Sequence, residues 1–253
     1  MRVGLALSGG GAKAIAQLGV LQALIDNDLE PSVIAASSGG AVTALFYATG
    51  HSPEQMLELI MNAGSYAYLS PNFKSGGIFN MGRARKYYHH FLDDVTFSDL
   101  EIPVYIAATD LRSGKAIYFS EGDIVEPLIA STSIPVLYDP VEYMGHFLTD
   151  GSLANNLPYE PLVGKCDKII GILTSGFQTD FKSTSMRSMV NRVIEITTYN
   201  NAVDKKNEVD LFIEPPGLSS FGMLSISKAE ELFELGYMYA SSLTAEFENF
   251  KNL

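Results

Sequence analysis

Twice within its first 50 residues the chain runs through the same pattern: a short aliphatic run, a turn of serine and glycine, then apolar residues at helical spacing. Residues 2–7 read RVGLAL and are cut by SGGG, after which Ile15, Leu18, Leu21, Leu24 and Ile25 recur at helical intervals between Ala14 and Asn27. Glu30-Pro31 ends that excursion, and Val33 to Ala36 is the next strand. Ser37-Ser38-Gly39-Gly40 interrupts it, and helical spacing resumes from about Gly39 to Thr49, where Gly50 stops it. Short buried runs that each feed a helix predict a parallel sheet covered by helices, and hence an α/β fold.

The rest of the chain continues in kind. Ser52-Pro53-Glu54 opens a helix over 51–61, and a further helix is expected over 83–92. Between them, residues 64–82 are rich in Ser, Gly, Asn and Tyr and exceed an ordinary connection, which suits a lid or a pocket wall. Strands are expected at 102–108, ending in Thr109-Asp110, and at 115–119, paired across Ser113-Gly114. Residues 121–130 read as helix until STSIP breaks the run, and 145–149 lead into Asp150-Gly151. A strand at 168–173 precedes a mainly helical part, 183–253, with helices at 183–200 and 227–250 around a short strand at 210–213. With 253 residues, 47% of them hydrophobic, the chain is long enough to close one core, and residues 1–253 are read as a single domain.

The charge balance, 17 Lys+Arg against 29 Asp+Glu for a formal net charge of -12, argues against a nucleic-acid partner. The basic group Arg83, Arg85 and Lys86 lies beside Tyr87, Tyr88, His89 and His90 but runs into Asp93 and Asp94, so it reads as a solvated helix face able to touch lipid head groups. Cys166 is the only cysteine, which rules out an internal disulfide and a cysteine metal cage. The N-terminal apolar run is too short to span a membrane and is cut by glycines where a signal peptide would continue. The expectation is a cytoplasmic protein with no transmembrane segment, and a non-classically exported one would look the same.

The glycine turns admit three readings. As a nucleotide site, Gly9, Gly11 and Ala14 fit the permissive G-x-G-x-x-G/A pattern, but the second strand ends in Ala36, Ser37 and Ser38 with no acidic residue for a ribose. A phosphate loop is absent too, since Lys13 is followed by Ala14. As a nucleophile turn, Ser38 has small residues on both sides, and the helix beginning near Gly39 supplies amide donors for a developing oxyanion. Gly9-Gly10-Gly11 offers a second donor set. Ser37 is the rival nucleophile, with poorer flanking symmetry. The third reading makes both turns structural.

A serine nucleophile needs a base. The four histidines are His51, His89, His90 and His146, none in the last hundred residues, which disfavours an ordinary Ser-Asp-His order. Asp150, set before Gly151, remains; burial near Ser38 would raise its pKa and make it a competent base. Whether the two meet is left open by spacing alone. Asp110, after a strand, reads as a turn residue. Tyr66, Tyr68, Phe73 and Phe79 are candidate acyl-pocket residues in the irregular segment.

Taken together, these residues resemble the patatin-like phospholipase family, in a small bacterial-type form. SGGGAKAIAQLGVLQAL is similar to its glycine-rich oxyanion motif, with Lys13 where arginine is usual and Ala14 where glycine is usual. Ala36-Ser37-Ser38-Gly39-Gly40 is similar to its G-x-S-x-G elbow, with Ala36 in the first glycine position. Asp150-Gly151-Ser152 resembles its D-G-[GA] motif, ASTSIP at 130–135 its A-S-x-[AS]-x-P stretch, and VYIAATDLRSGK its central strand and turn. The likeness covers roughly residues 2–175. It implies a three-layer α/β sandwich with a mostly parallel central sheet flanked by helices. It further implies a Ser38–Asp150 dyad, an oxyanion hole from Gly9, Gly10, Gly11 and Gly39, and support from Lys13, Gly40 and Gly151. The implied substrate is a lipid or ester, with transient membrane-surface contact and no metal or cofactor. The implied reaction is lipid acyl hydrolysis through an acyl-enzyme. The rival readings are a general carboxylesterase or acyltransferase, a non-catalytic binding module of the same fold, and a nucleotide-binding oxidoreductase.

Overall fold

A computed structural model describes residues 1–63, 70, 71, 79–92 and 94–252. The elements follow in chain order as β1 (Val3–Leu7), α1 (Ala16–Asp26), β2 (Pro31–Ser37), α2 (Gly39–Ala48), α3 (Pro53–Ala63), β3 (Ser70–Pro71), β4 (Phe79–Asn80) and α4 (Gly82–Leu92). Then come β5 (Val104–Asp110), β6 (Lys115–Phe119), α5 (Val125–Ser131), β7 (Val141–Tyr143), β8 (His146–Asp150) and β9 (Lys168–Ile172). The chain finishes with α6 (Met186–Val203), β10 (Leu211–Ile213), α7 (Ala229–Ser241) and α8 (Thr244–Asn252).

Among the described residues, eight strands form one sheet in the order β10-β9-β1-β2-β5-β8-β7, with β6 also paired to β5. The run from β10 to β5 is parallel, and β6, β7 and β8 join antiparallel. Side chains alternate between the two faces of each inner strand. Leu5, Leu7, Ile34 and Ala36 enter one apolar cluster with residues of α1, α2, α5 and α7. Ala6, Val33 and Ala35 enter a second, with Leu157, Leu162, Ile169 and Ala202. A sheet buried on both faces is why β1 and β2 read as continuous apolar runs, and it gives the expected α/β sandwich with a largely parallel central sheet flanked by helices.

Three local departures have physical causes. The helix expected from Ala14 begins as a 3-10 turn, Gly11–Ile15, because Gly11 has φ +59 and Ala12 N–H donates out of the helix to Met223 O at 2.8 Å. The helix expected over 227–250 is divided at Ser242 and Leu243, whose amides make tight i→i−3 bonds to Tyr239 and Ala240. The hairpin of β7 and β8 turns on Met144 and Gly145, both at positive φ (48 and 79), as a two-residue primed turn requires; a methionine there carries no sequence signal. The C-terminal helices reach the N-terminal half because Gly19 and Gly236 let α1 and α7 touch backbone to backbone: a β-carbon on Gly236 would lie 2.0 Å from Ala16 O. Of the expected lid over 64–82, residues 64–69 and 72–78 lie outside the described residues, Tyr66, Tyr68 and Phe73 among them. Phe79 is half-buried with its ring 6.2 Å from that of Tyr138.

Candidate active site

Ser38 sits between β2 and α2 at φ 51, ψ −124, a left-handed backbone that a non-glycine residue adopts only when its surroundings hold it there. Strand register supplies the partner. Ser37 lies opposite Ala107 of β5, and Asp150, the last residue of β8, lies opposite the next residue, Ala108, on the same edge of that strand, β6 occupying the other edge. Ser38 Oγ therefore reaches Asp150 and donates a 2.7 Å hydrogen bond to its Oδ2. Both residues are almost closed off from solvent, at 4% and 2% exposure.

The other carboxylate oxygen of Asp150 accepts from the amide (2.9 Å) and hydroxyl (2.6 Å) of Ser152. Burial raises the Asp150 pKa against the opposing pull of the hydrogen bonds from Ser152 and Ser38. A carboxylate held in this way is more basic than a solvated one and already bonded to the hydroxyl it would deprotonate.

The ASTSIP segment brackets the pair. Ser38 N–H donates to Ser131 Oγ at 2.9 Å, and Asp150 N–H donates to Ser133 O at 3.0 Å. Thr109 Oγ1 fixes the Asp150 carbonyl at 2.7 Å. Ser37, the rival nucleophile, has a fully buried hydroxyl with no partner among the described residues and faces Gly151 instead. Ala36 is absent from the positive-φ positions, so its methyl group imposes no strain on the elbow.

The glycine loop lies against this pair. Gly9 N–H is already committed to Asn156 Oδ1 at 2.8 Å, which removes it from the set of free donors. Among the described residues, the amides of Gly10, Gly11 and Gly39 have no bonded acceptor. Gly40 packs on the Leu7 and Ser8 carbonyls and Gly151 on the Ala107 carbonyl. Lys13, 8% exposed, donates through Nζ to the carbonyl of Ser175 and, at 3.5 Å, to that of Gly176. Its burial lowers its pKa, opposed by the charge of Glu195.

Two cavities meet at Ser38. One, of about 120 Å³, is lined by apolar side chains including Ile15, Val42, Ile60, Tyr138, Leu224 and Ile226. Burial pushes the Tyr138 phenol up to about 12, so it stays neutral. The other, of about 40 Å³, mixes the polar Lys13, Asp150, Asn156 and Glu195 with the apolar Ile134, Leu153 and Ile194. Among the described residues, no histidine lines either. Asp110 holds the β5–β6 turn through Ser113 Oγ at 2.8 Å, as a turn residue does. Sequence reading passed over Asn156 and Met223, and noted the ASTSIP stretch without assigning Ser131 a contact. The run Asn155-Asn156-Leu157-Pro158 after Asp150-Gly151 was the one available sign of Asn156.

The chain is similar to known proteins along most of its length. An uncharacterized NTE family protein of Mycobacterium tuberculosis is 30% identical over 204 residues, 78% of this chain and 57% of that protein. The chain therefore spans little more than half the length of such mycobacterial relatives. Lysophospholipase nte1 of Aspergillus niger is 25% identical over 277 residues, covering 95% of this chain and 18% of the fungal protein. Among solved structures, VipD from Legionella pneumophila shares the fold, with a TM-score of 0.58 at 16% identity over 97% of this chain and 67% of that one. The family model described as patatin-like phospholipase matches residues 5–163, which contain the glycine loop, Ser38, the 131–133 bracket and Asp150, and the chain is accordingly a member of that family.

Proposed function

We propose that the chain is a serine acyl hydrolase that cleaves fatty acyl esters of phospholipids or related lipids through Ser38 and Asp150. The observation that carries this reading is the 2.7 Å hydrogen bond from Ser38 Oγ to a buried, pKa-raised Asp150 where two cavities meet. Asp150 takes the hydroxyl proton as Ser38 Oγ bonds to the ester carbonyl carbon. The carbonyl oxygen becomes an oxyanion that the amides of Gly10, Gly11 and Gly39, free of other acceptors among the described residues, would receive. Collapse breaks the bond to the alcohol, which leaves with the proton from Asp150, and Ser38 retains the acyl group. Water, deprotonated by Asp150, then releases the acid and restores the serine.

The larger, apolar cavity suits the acyl chain, and the smaller one, with Lys13, Asn156 and Glu195 in its wall, the alcohol portion. The apolar cavity found at Ser38 among the described residues accommodates one chain, in keeping with a monoacyl lipid; the fungal relative is named a lysophospholipase. Transient contact with a lipid surface belongs to the same reading, supported by the exposed Met186, Met189, Val193 and Ile196 of α6. A carboxylesterase or acyltransferase would use the same steps and differ only in substrate or acceptor.

The test is covalent labelling with a fluorophosphonate, with the adduct located by peptide mass. One adduct on Ser38, lost in Ser38→Ala and strongly slowed in Asp150→Asn, is the expected result. No adduct on folded protein, beside a control hydrolase that labels, would leave a non-catalytic binding module.

A further inference from the structure

Four residues line both cavities: Gly11, Ser38, Ile134 and Met223. Gly11 and Ser38 belong to the reaction centre proposed above. Met223 comes from the segment between β10 and α7, beyond the residues 5–163 that match the family model.

Its position is tightly set. Met223 O accepts the Ala12 amide at 2.8 Å, which ties this segment to the turn following Gly10 and Gly11. A β-carbon on Gly11 would lie 2.5 Å from Met223 Cγ and 2.5 Å from Met223 O, so the methionine occupies space that only a glycine at position 11 leaves free. Its side chain thus stands against the Gly10-Gly11 loop, on the partition between the two cavities that meet at Ser38.

Ester geometry gives that partition a role. When the carbonyl carbon is within bonding reach of Ser38 Oγ, the acyl chain leaves it in one direction and the alkoxy oxygen in the other. With the chain in the larger cavity and the alcohol in the smaller one, the atoms that cross the partition are the carbonyl carbon and its immediate neighbours. Groups farther along either arm lie beyond it. We infer that Met223 is a specificity-determining residue that, with Ile134, limits branching at the acyl carbon next to the carbonyl, so that the site takes esters of unbranched acids. The assignment rests on the hydrolase reading of Ser38.

A methyl group in a close apolar contact changes kcat/KM by about 10–200-fold, which sets the scale of the effect. The probes are p-nitrophenyl butyrate, unbranched, and p-nitrophenyl 2-methylbutyrate, branched beside the carbonyl, with fluorophosphonate labelling of Ser38 followed in parallel. Met223→Ala keeps the backbone tie to Ala12 and removes the side chain from the partition. It should raise kcat/KM for the branched ester relative to the unbranched one at least tenfold. Met223→Phe should move the same ratio the other way, so the assignment remains testable if the alanine variant is poorly folded. Met238→Ala, at a 66% exposed position on α7, should leave the ratio unchanged. An unchanged ratio in folded Met223 variants that still label at Ser38 overturns the role of Met223 and leaves the hydrolase reading standing. Failure of the parent protein to label at Ser38 overturns both.

Discussion

Ser38 and Asp150 are 112 residues apart in the chain and 2.7 Å apart at their hydrogen-bonded oxygens, brought together where the ends of β2 and β8 meet along one edge of β5. The bond makes a direct prediction. Asn in place of Asp150 preserves the shape of the side chain but cannot take the serine proton. General-base assistance contributes about 10²–10⁴-fold. Asp150→Asn should slow fluorophosphonate labelling by at least about 10²-fold while its far-ultraviolet circular dichroism matches the parent. Labelling at the parental rate would remove Asp150 from the mechanism.

The same carboxylate shapes stability against pH. Burial raises its folded pKa above the ordinary 3.8, so the folded state favours the protonated form. Its contribution to stability is full below the unfolded value and is lost as pH rises through the folded pKa. Asp99, Asp110 and Asp167 act in the opposite sense, because hydrogen bonds from Thr96, Ser113 and the Arg2 amide lower their pKa values, and their stabilisation is lost in acid. Comparison with Asp150→Asn cancels those shared terms. The variant should melt higher than the parent at pH 7, with the gap closing as pH falls toward 3.8. Coincident melting temperatures at pH 7 would show that the buried charge carries no net cost.

Much of this was legible in the residues because it was local. Continuous apolar runs marked β1 and β2, glycine turns marked where each strand fed a helix, and family-like motifs pointed to Ser38 and Asp150. What escaped depends on contacts made only in the fold. Asn156 reaches Gly9 across 147 residues, and Ser131 reaches Ser38 across 93. Met223 meets Gly11 from the far end of the chain. No periodicity or spacing encodes such meetings. The β7–β8 hairpin escaped for a different reason: Met144 holds a positive φ that its residue type does not advertise.

Ser131 provides a test of how the elbow is held. Its hydroxyl satisfies the buried amide of Ser38, a residue whose backbone conformation is strained by about 1–3 kcal/mol. Removing the acceptor leaves that amide unpaired at a cost of about 1–3 kcal/mol. Ser131→Ala should lower kcat about tenfold or more on a soluble ester with little change in KM, since the substrate cavities are untouched. Ser131→Thr, which keeps the hydroxyl, should recover most of the loss. A fall in KM-limited binding with kcat preserved would assign Ser131 to the pocket wall instead.

Lys13 stands where the family usually has arginine, and its contacts say what that position does. Its buried ammonium bonds to the Ser175 and Gly176 carbonyls, tying the turn that follows Gly10 and Gly11 to the segment after β9. Methionine at this position fills similar space but leaves both carbonyls without the cation, and the amides of Gly10 and Gly11 lose their anchor. One oxyanion donor is worth about 10²–10³ in rate, so a displaced loop should cost a comparable factor. Lys13→Met should therefore slow Ser38 labelling by about 10²-fold. Lys13→Arg presents a planar fork with a donor for each carbonyl and should stay within about fivefold of the parent. The measurement is the second-order labelling rate constant for both variants beside their melting temperatures. A methionine variant that labels at the parental rate would make Lys13 a packing residue, whereas an arginine variant as slow as methionine would show that the cavity fits only the slimmer ammonium.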